Sequence, residues 1–523
     1  MKFIKNALLP MCAGLVFTLA DSKATVFTFD AGDLVVSTVS DSDPGAANGG
    51  LDTAAPIVLD QFSLGSGGTS ITAAGSLELS QTSSGDNSAI SGEYGSASEG
   101  ILEDSVNGEY LTMMGYGVNA NTFNSAPIST YGTAALGQTT SLTAANQTGT
   151  PVTTVARVVA LIGAGGSVDT STALTGVFNM NNPRSVATVD GTSFYVSGQG
   201  VTGDGTGGVF YATDGATTAT AIDANTSTTA TGQDPAQGTE TRSVQIVNTG
   251  SGDELWVSRD VKVSGTPNDA SDIRSFTNST GGLPTSSSGL VAARVLPSNP
   301  SVNGGNTGSI DLPSAANNPL DNGVNNNSIG DKNGKNRNGK FVYLSPEQFF
   351  LASPDVMYVT DSGQPKNGSA DAAAEGEGGL QKWIYSDGAW NLQYDLSAGL
   401  DLVNNDAANS ATPTAPGVTG LFGLAGEVVG TGADATVELF ATSYGLNELS
   451  SSYLYEITDS LDATAPANGE SFTTLESASS GTLIRGVAFA PEAVPEPSTY
   501  AMMLVGLAGM VGFVWKRRGA CRT

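Results

Sequence analysis

The chain has 523 residues, 21 Lys and Arg against 50 Asp and Glu, a formal net charge of −29, two cysteines and no histidine. Without histidine there can be no Ser-His-Asp or Cys-His nucleophilic site and no His-ligated zinc or iron. So acidic a surface repels nucleic acid and anionic lipid.

The chain opens on Lys2 and Lys5, an apolar run from Ala7 to Ala20, and Ser22-Lys23-Ala24 before Thr25. A basic start, an apolar stretch and a small-x-small site predict a secretory signal peptide over residues 1–24, cut between Ala24 and Thr25. At the other end Pro495 and Pro497 hold the peptide around Glu496 extended. Tyr500 to Trp515 is then 16 uncharged residues, about 24 Å if helical. Tyr500 and Trp515 stand at its two ends, where aromatic rings favour the membrane interface, and Lys516, Arg517 and Arg518 form a basic stop.

Both cysteines, Cys12 and Cys521, lie in these end segments, so the mature chain is expected to lack thiols, disulfides and thiolate metal sites. Processing would remove Lys2, Lys5, Lys23, Lys516, Arg517, Arg518 and Arg522 but only Asp21 and Glu496 among the acids, which makes the product more acidic still.

Between the ends the chain reads as all-β. Short β-branched or aromatic runs alternate with Gly, Asn, Asp and Ser turns, and long 3.6-residue periodicity is absent. Asp33 to Val39, Pro56 to Leu64 and Thr69 to Ser80 read as the first strands. Gly100 to Asp104 and Glu109 to Met113 flank Asn107-Gly108, a strong hairpin signal. Val155 to Ile162 is a further strand.

Two later phrases repeat. Arg184-Ser-Val-Ala-Thr-Val189, a turn, then Phe194-Tyr-Val-Ser197 matches Arg242-Ser-Val-Gln-Ile-Val247, a turn, then Leu255-Trp-Val-Ser258. Looser copies run from Phe349 through Val359 and from Gly420 through Ala441. Outer hairpins are expected around Asp214-Gly215 and Asp387-Gly388, with Tyr453 to Ile457 and Leu483 to Phe489 as the last units. A period of roughly 55–75 residues with four short strands each predicts a β-propeller. Over residues 25–490 this gives six to eight four-stranded blades, with seven as the working figure. The ring is expected to close by Asp33–Val39 sharing a blade with Leu483–Phe489. A β-helix or tandem β-sandwiches is the alternative.

The candidate chemistry is sparse. The polar segment 317–340 has oxygen side chains at alternating positions, as calcium loops do. Its pattern breaks at Gly334, and Lys332, Lys335, Arg337 and Lys340 oppose a cation, so a solvated loop is the plainer reading. No cofactor is expected, with calcium the one ion to consider. Arg184 and Arg242 could ring a channel and hold an anion, or bond carbonyls and acids between blades. Glu99, Glu103, Asp104 and Glu109 cluster at the first hairpin, and a carboxylate pair could hydrolyse glycosides. In so acidic a chain such clustering is expected by chance. Gly203 to Gly208 opens no helix and is not a phosphate loop. Trp256, Trp383 and Trp390 suit blade cores, or saccharide stacking.

The C-terminal segment 491–523 resembles the PEP-CTERM sorting signal of Gram-negative bacteria. The matching residues are Val494, Pro495, Glu496, Pro497, Ser498 and Thr499, the apolar helix 500–515 with Gly506, Gly509 and Gly512, and Lys516, Arg517 and Arg518. The resemblance implies recognition and cleavage near Pro495–Pro497 by an exosortase-type membrane enzyme. It also implies membrane contact through the helix before processing, then release to the cell surface, outer envelope or medium, often beside exopolysaccharide. The phrases Asp33-Leu-Val-Val, Arg184-Ser-Val, Gly379 to Trp383 and Arg485 to Ala490 are similar to those of PEP-CTERM propeller proteins of unassigned activity. The expectation is a secreted, non-enzymatic binding or structural protein of the matrix, with extracellular polysaccharide as partner. The alternative is a carboxylate-dependent polysaccharide hydrolase or lyase.

Overall fold

A computed structural model of the chain describes residues 27–41, 50–147, 149–201, 203–224, 241–259, 272–296, 309–311, 341–343, 345–363, 378–402, 417–445 and 449–493. Ala24, Thr25, the segment 317–340, Val494 to Thr499, the helix 500–515 and Lys516 to Arg518 lie outside these residues. Among the described residues no helix is long and apolar enough to cross a membrane.

The strands form six antiparallel blades. Blade 2 has Glu103–Asp104 innermost, then Tyr110–Tyr116, Arg157–Gly163 and Ala173–Leu174. Blade 3 runs outward through Pro183–Ala187, Ser193–Gly198, Gly208–Thr213 and Thr220–Ala224. Blade 4 comprises Thr241–Asn248, Asp253–Arg259, Asp272–Asn278 and Leu290–Leu296. Blade 5 comprises Pro346–Ser353, Val356–Asp361, Gly379–Ser386 and Ala389–Leu396. Blade 6 comprises Val418–Val429, Thr436–Gly445, Tyr453–Ser460 and Thr473–Ser477.

Blade 1 is composite. Its inner strand is Thr482–Phe489 from the C-terminal side, and Leu34–Ser40, Ile57–Leu64 and Ile71–Glu78 follow outward. Leu34 lies opposite Phe489 and Ser40 opposite Thr482, so the expected latch between the two ends is present. The blade count is six, at the low end of the expected range and below the working figure of seven. Dividing the chain by one period overcounts because some of its length builds no blade. Residues 117–156 form an insertion within blade 2 that carries the short helices Ala120–Ser125 and Ile128–Tyr131.

Each blade buries both faces, one against each neighbour, which is why the strands read as continuous apolar runs. Along Leu34–Ser40, Val35 and Val39 join blade 2 residues Leu111, Met113 and Ile162 in one core. Leu34 and Val36 face the other way, into a core with Ala425, Phe440 and Leu454 of blade 6. The remaining cores repeat this arrangement around the ring. Met114 and Val159 pack on Phe194 and Val196, and Tyr195 and Val209 on Leu255 and Val257. Trp256 and Ile273 meet Met357 and Trp383, and Tyr358 and Leu380 meet Leu439 and Val437.

A second repeated device acts on the backbone. A Ser or Thr hydroxyl in the second strand of a blade reaches the chain of the next blade. Ser37 donates to Gly100 O at 2.7 Å, Thr112 to Val186 O at 2.6 Å and Ser197 to Arg242 O at 2.6 Å. Ser258 donates to Glu347 O at 2.5 Å and Thr360 to Phe422 O at 2.8 Å. Three of these positions also oppose a β-bulge and accept an inner-strand N–H of their own blade: Gly486 N to Ser37, Ser243 N to Ser258 and Gln348 N to Thr360; Thr442 of blade 6 does the same for Gly423 N. The bulge frees backbone groups from the ladder, and the hydroxyl satisfies them. At the seam, Gly486 permits the close approach of blade 1 to blade 2. A Cβ there would lie 2.6 Å from Leu102 N.

Ser258 is fully buried, and its loss leaves both Ser243 N–H and Glu347 C=O without that partner. Ser258→Ala is expected to cost about 1–3 kcal/mol of stability in chemical denaturation. A Ser288→Ala control on the exposed surface should lie within about 0.5 kcal/mol of wild type. Equal effects would show that the inter-blade bond contributes nothing.

Candidate functional site

The six inner strands surround an axial channel. On one side it opens as a funnel of about 360 Å³ lined by Asp104, Thr188, Val247, Phe350, Gly426 and Phe489 among others, with every blade contributing. Halfway along, polar side chains close it. Glu103 of blade 2 is buried and accepts from Ser243 Oγ at 2.7 Å, Gln245 Nε2 at 2.8 Å and Ser185 Oγ at 3.3 Å. Gln348 of the opposite blade 5 crosses the axis, donating to Leu102 O at 3.1 Å and accepting from Leu424 N at 2.8 Å.

Burial pushes the Glu103 carboxyl up to about 8, against the downward pull of its hydrogen-bond donors Ser243, Gln245 and Gln348. The neighbouring Asp104 is exposed to the funnel. The protein mass around it pushes its carboxyl up to about 7, and water reaching the group offsets part of that push.

Beyond the plug lies a charged layer. Arg184 and Arg242 are both buried. Arg242 Nη1 stands 3.5 Å from Glu347 Oε2, and Arg184 Nη2 donates to Gln199 Oε1 at 3.2 Å. Arg242 thus meets an acid of the next blade, as the structural reading expects, whereas this contact of Arg184 is to Gln199 of its own blade. The four acids of the first hairpin do not converge. Glu99 takes the Tyr116 hydroxyl and Asn182 amide in a buried cluster. Glu103 fills the channel, Asp104 faces the funnel, and Glu109 sits beside the turn at Gly108. In the Gly203–Gly208 turn, Asp204 Oδ1 accepts from Thr206 N and Oγ1.

Trp383 and Trp256 belong to the core between blades 4 and 5. Trp390 is half-buried at its edge, with Tyr385 tilted against it at 5.4 Å. Among the described residues no group of three or more Asp, Glu, His or Cys side chains is arranged to hold a metal ion.

Three buried features were missed by sequence reasoning. Arg157 gives its guanidinium to the carbonyls of Thr139, Val155, Phe178 and Asn181 at 2.8–3.0 Å and lies over the Tyr116 ring, fixing the helical insertion. Gln348 reads as an ordinary strand residue in sequence. Lys382 lies buried between blades 5 and 6, 3.0 Å from Asp459. A charged residue within an apolar strand run was the available signal for Arg157 and Lys382.

Because the Glu103 carboxyl is raised from its ordinary range, its contribution to stability is fully present below about 4.5 and is lost as pH rises through about 8. Wild type is expected to lose stability relative to Glu103→Gln across that interval when both are melted from pH 5 to 9. Parallel curves would contradict the assignment.

Residues 493–518 match the family model described as the PEP-CTERM protein-sorting motif. No curated protein matches the chain. The motif follows the latch directly, since Ala490 N donates to Asp33 O and Glu492 N to Gly108 O, both at 2.8 Å. The chain is thus a six-bladed propeller carrying a PEP-CTERM sorting motif, the mark of a secreted surface protein that passes through the membrane and an exosortase.

Proposed function

We propose that the protein is a non-enzymatic binding component of the extracellular matrix and that its funnel receives a polyhydroxylated, uncharged or amino-bearing segment of a matrix polysaccharide. The observation that carries this reading is the funnel's chemistry. Its floor offers the Gln245 amide and the Asp104 carboxylate, while Phe350 and Phe489 supply apolar faces on its wall. Concave sites with a few directed polar groups and aromatic walls suit small polar ligands. The acidic floor disfavours anionic polymers.

The non-enzymatic reading is supported by the distribution of acids. Among the described residues lining the funnel, the carboxylates are Glu103 and Asp104, adjacent on one strand rather than facing each other across the cavity. Glycosidic cleavage uses two carboxylates flanking the bond, about 5–10 Å apart. Glu103 is also committed to three hydrogen bonds.

Titration calorimetry against neutral, amino-bearing and uronic oligosaccharides tests the proposal. Binding to a neutral or amino sugar is expected, weakened at least about tenfold by Asp104→Lys, a loss of about 1.4 kcal/mol. Asp355→Lys at an exposed turn should leave it unchanged. No binding to any of these ligands, or equal binding by both variants, would overturn the funnel assignment. Release of shortened products would overturn the non-enzymatic reading.

A further inference from the structure

Lys382 comes from the third strand of blade 5 and Asp459 from the third strand of blade 6. The two side chains are almost wholly removed from solvent, with Nζ 3.0 Å from Asp459 Oδ2. Nζ also donates to Ser460 O at 2.5 Å and Tyr394 Oη at 3.1 Å. The rings of Tyr358 and Tyr394 lie 5.5 and 5.4 Å from it. Both tyrosine hydroxyls donate to Asp459, Tyr358 to Oδ2 at 2.6 Å and Tyr394 to each oxygen at 2.8 Å.

A third ionisable group completes the cluster. Glu470 accepts Ala467 N on Oε2 at 2.7 Å, while its Oε1 is buried and receives no donor. Its carboxyl interacts directly with Asp459, and burial foremost pushes it up to about 7. A buried acceptor without a donor is costly. The cost disappears when Glu470 carries a proton and gives it to Asp459. Burial likewise pushes the Lys382 ammonium down, against the pull of Asp459. Desolvation thus works against the charged form of the buried Lys382 amine.

We propose that Lys382 and Asp459 condense into an isopeptide cross-link joining blade 5 to blade 6, with Glu470 as the proton carrier. The Lys382 nitrogen attacks Asp459 Cγ. Glu470 gives its proton to an Asp459 oxygen and takes one from the nitrogen, twice over, so that two protons move from nitrogen to oxygen and that oxygen leaves as water. One C–N bond forms, one C–O bond breaks and one water leaves. No oxidant, reductant or activated donor is needed. The Tyr358 and Tyr394 hydroxyls lie where negative charge develops on the second oxygen. The fixed contact supplies the effective concentration that amide formation lacks in water. In a mature chain without cysteine, such a bond would serve as a covalent staple between blades.

Mass spectrometry of the surface form under denaturing conditions tests this, with its termini fixed by peptide mapping. The expected mass is one water below that of the sequence, with a branched peptide containing Lys382 and Asp459 after digestion. Glu470→Gln, which keeps the size of the side chain, should leave the full mass and a Lys382 amine that labels after denaturation. A wild-type chain at full mass, or a lost water that maps elsewhere, would overturn the cross-link. Condensation in Glu470→Gln as complete as in wild type would overturn the proton-carrier role. The wild-type measurement stands even if a variant fails to fold.

Discussion

The structure depends on a hydroxyl from one blade meeting the backbone of the next. Apolar packing alone would let neighbouring blades slide and tilt, because it is non-directional. The bonds from Ser37, Thr112, Ser197, Ser258 and Thr360 fix the height of each inner strand against its neighbour. They are short and buried, and those of Ser37, Ser258 and Thr360 are tied to bulges that free backbone groups from the ladder. The channel diameter and the meeting of Glu103 with Gln348 across the axis both follow from that fixed register.

Closure adds a constraint on time as well as space. Thr482–Phe489 is the inner strand of blade 1, so the ring cannot exist until nearly the whole chain is present. The sorting motif begins four residues after that strand, at residue 493. Sorting motif and latch strand are therefore neighbours in sequence. This arrangement fits a protein whose ring closes only after its last strand has arrived. Its buried charged groups, Arg157 among carbonyls, Arg242 with Glu347 and Lys382 with Asp459, supply directional links between elements.

Much of the fold was legible in the sequence because both faces of each blade are buried. That produces apolar runs bounded by Gly and Asp turns, and the repeated Val-Ser ending of Phe194–Ser197 and Leu255–Ser258 marked equivalent second strands. The serine in that phrase is now explained as the inter-blade donor. The blade count was less legible, since the insertion at residues 117–156 has strand-like composition yet packs as short helices and loops. The channel plug was hardly legible at all. Gln348 and Glu103 lie 245 positions apart in sequence, and nothing local to either marks them as partners. The same holds for the meeting of Lys382, Asp459 and Glu470: Lys382 stands out within its apolar strand run, but nothing local marks the two acids as its partners.

The central claim is that the two ends of the mature chain form one cooperative blade that closes the ring. Native-state hydrogen exchange resolved to residues 34–39 and 483–489 tests it most directly. The amides of both segments should exchange with the same free energy of opening, equal to that of global unfolding. Exchange of 483–489 at a much lower opening free energy, with 34–39 still protected, would contradict a latch that holds the propeller shut.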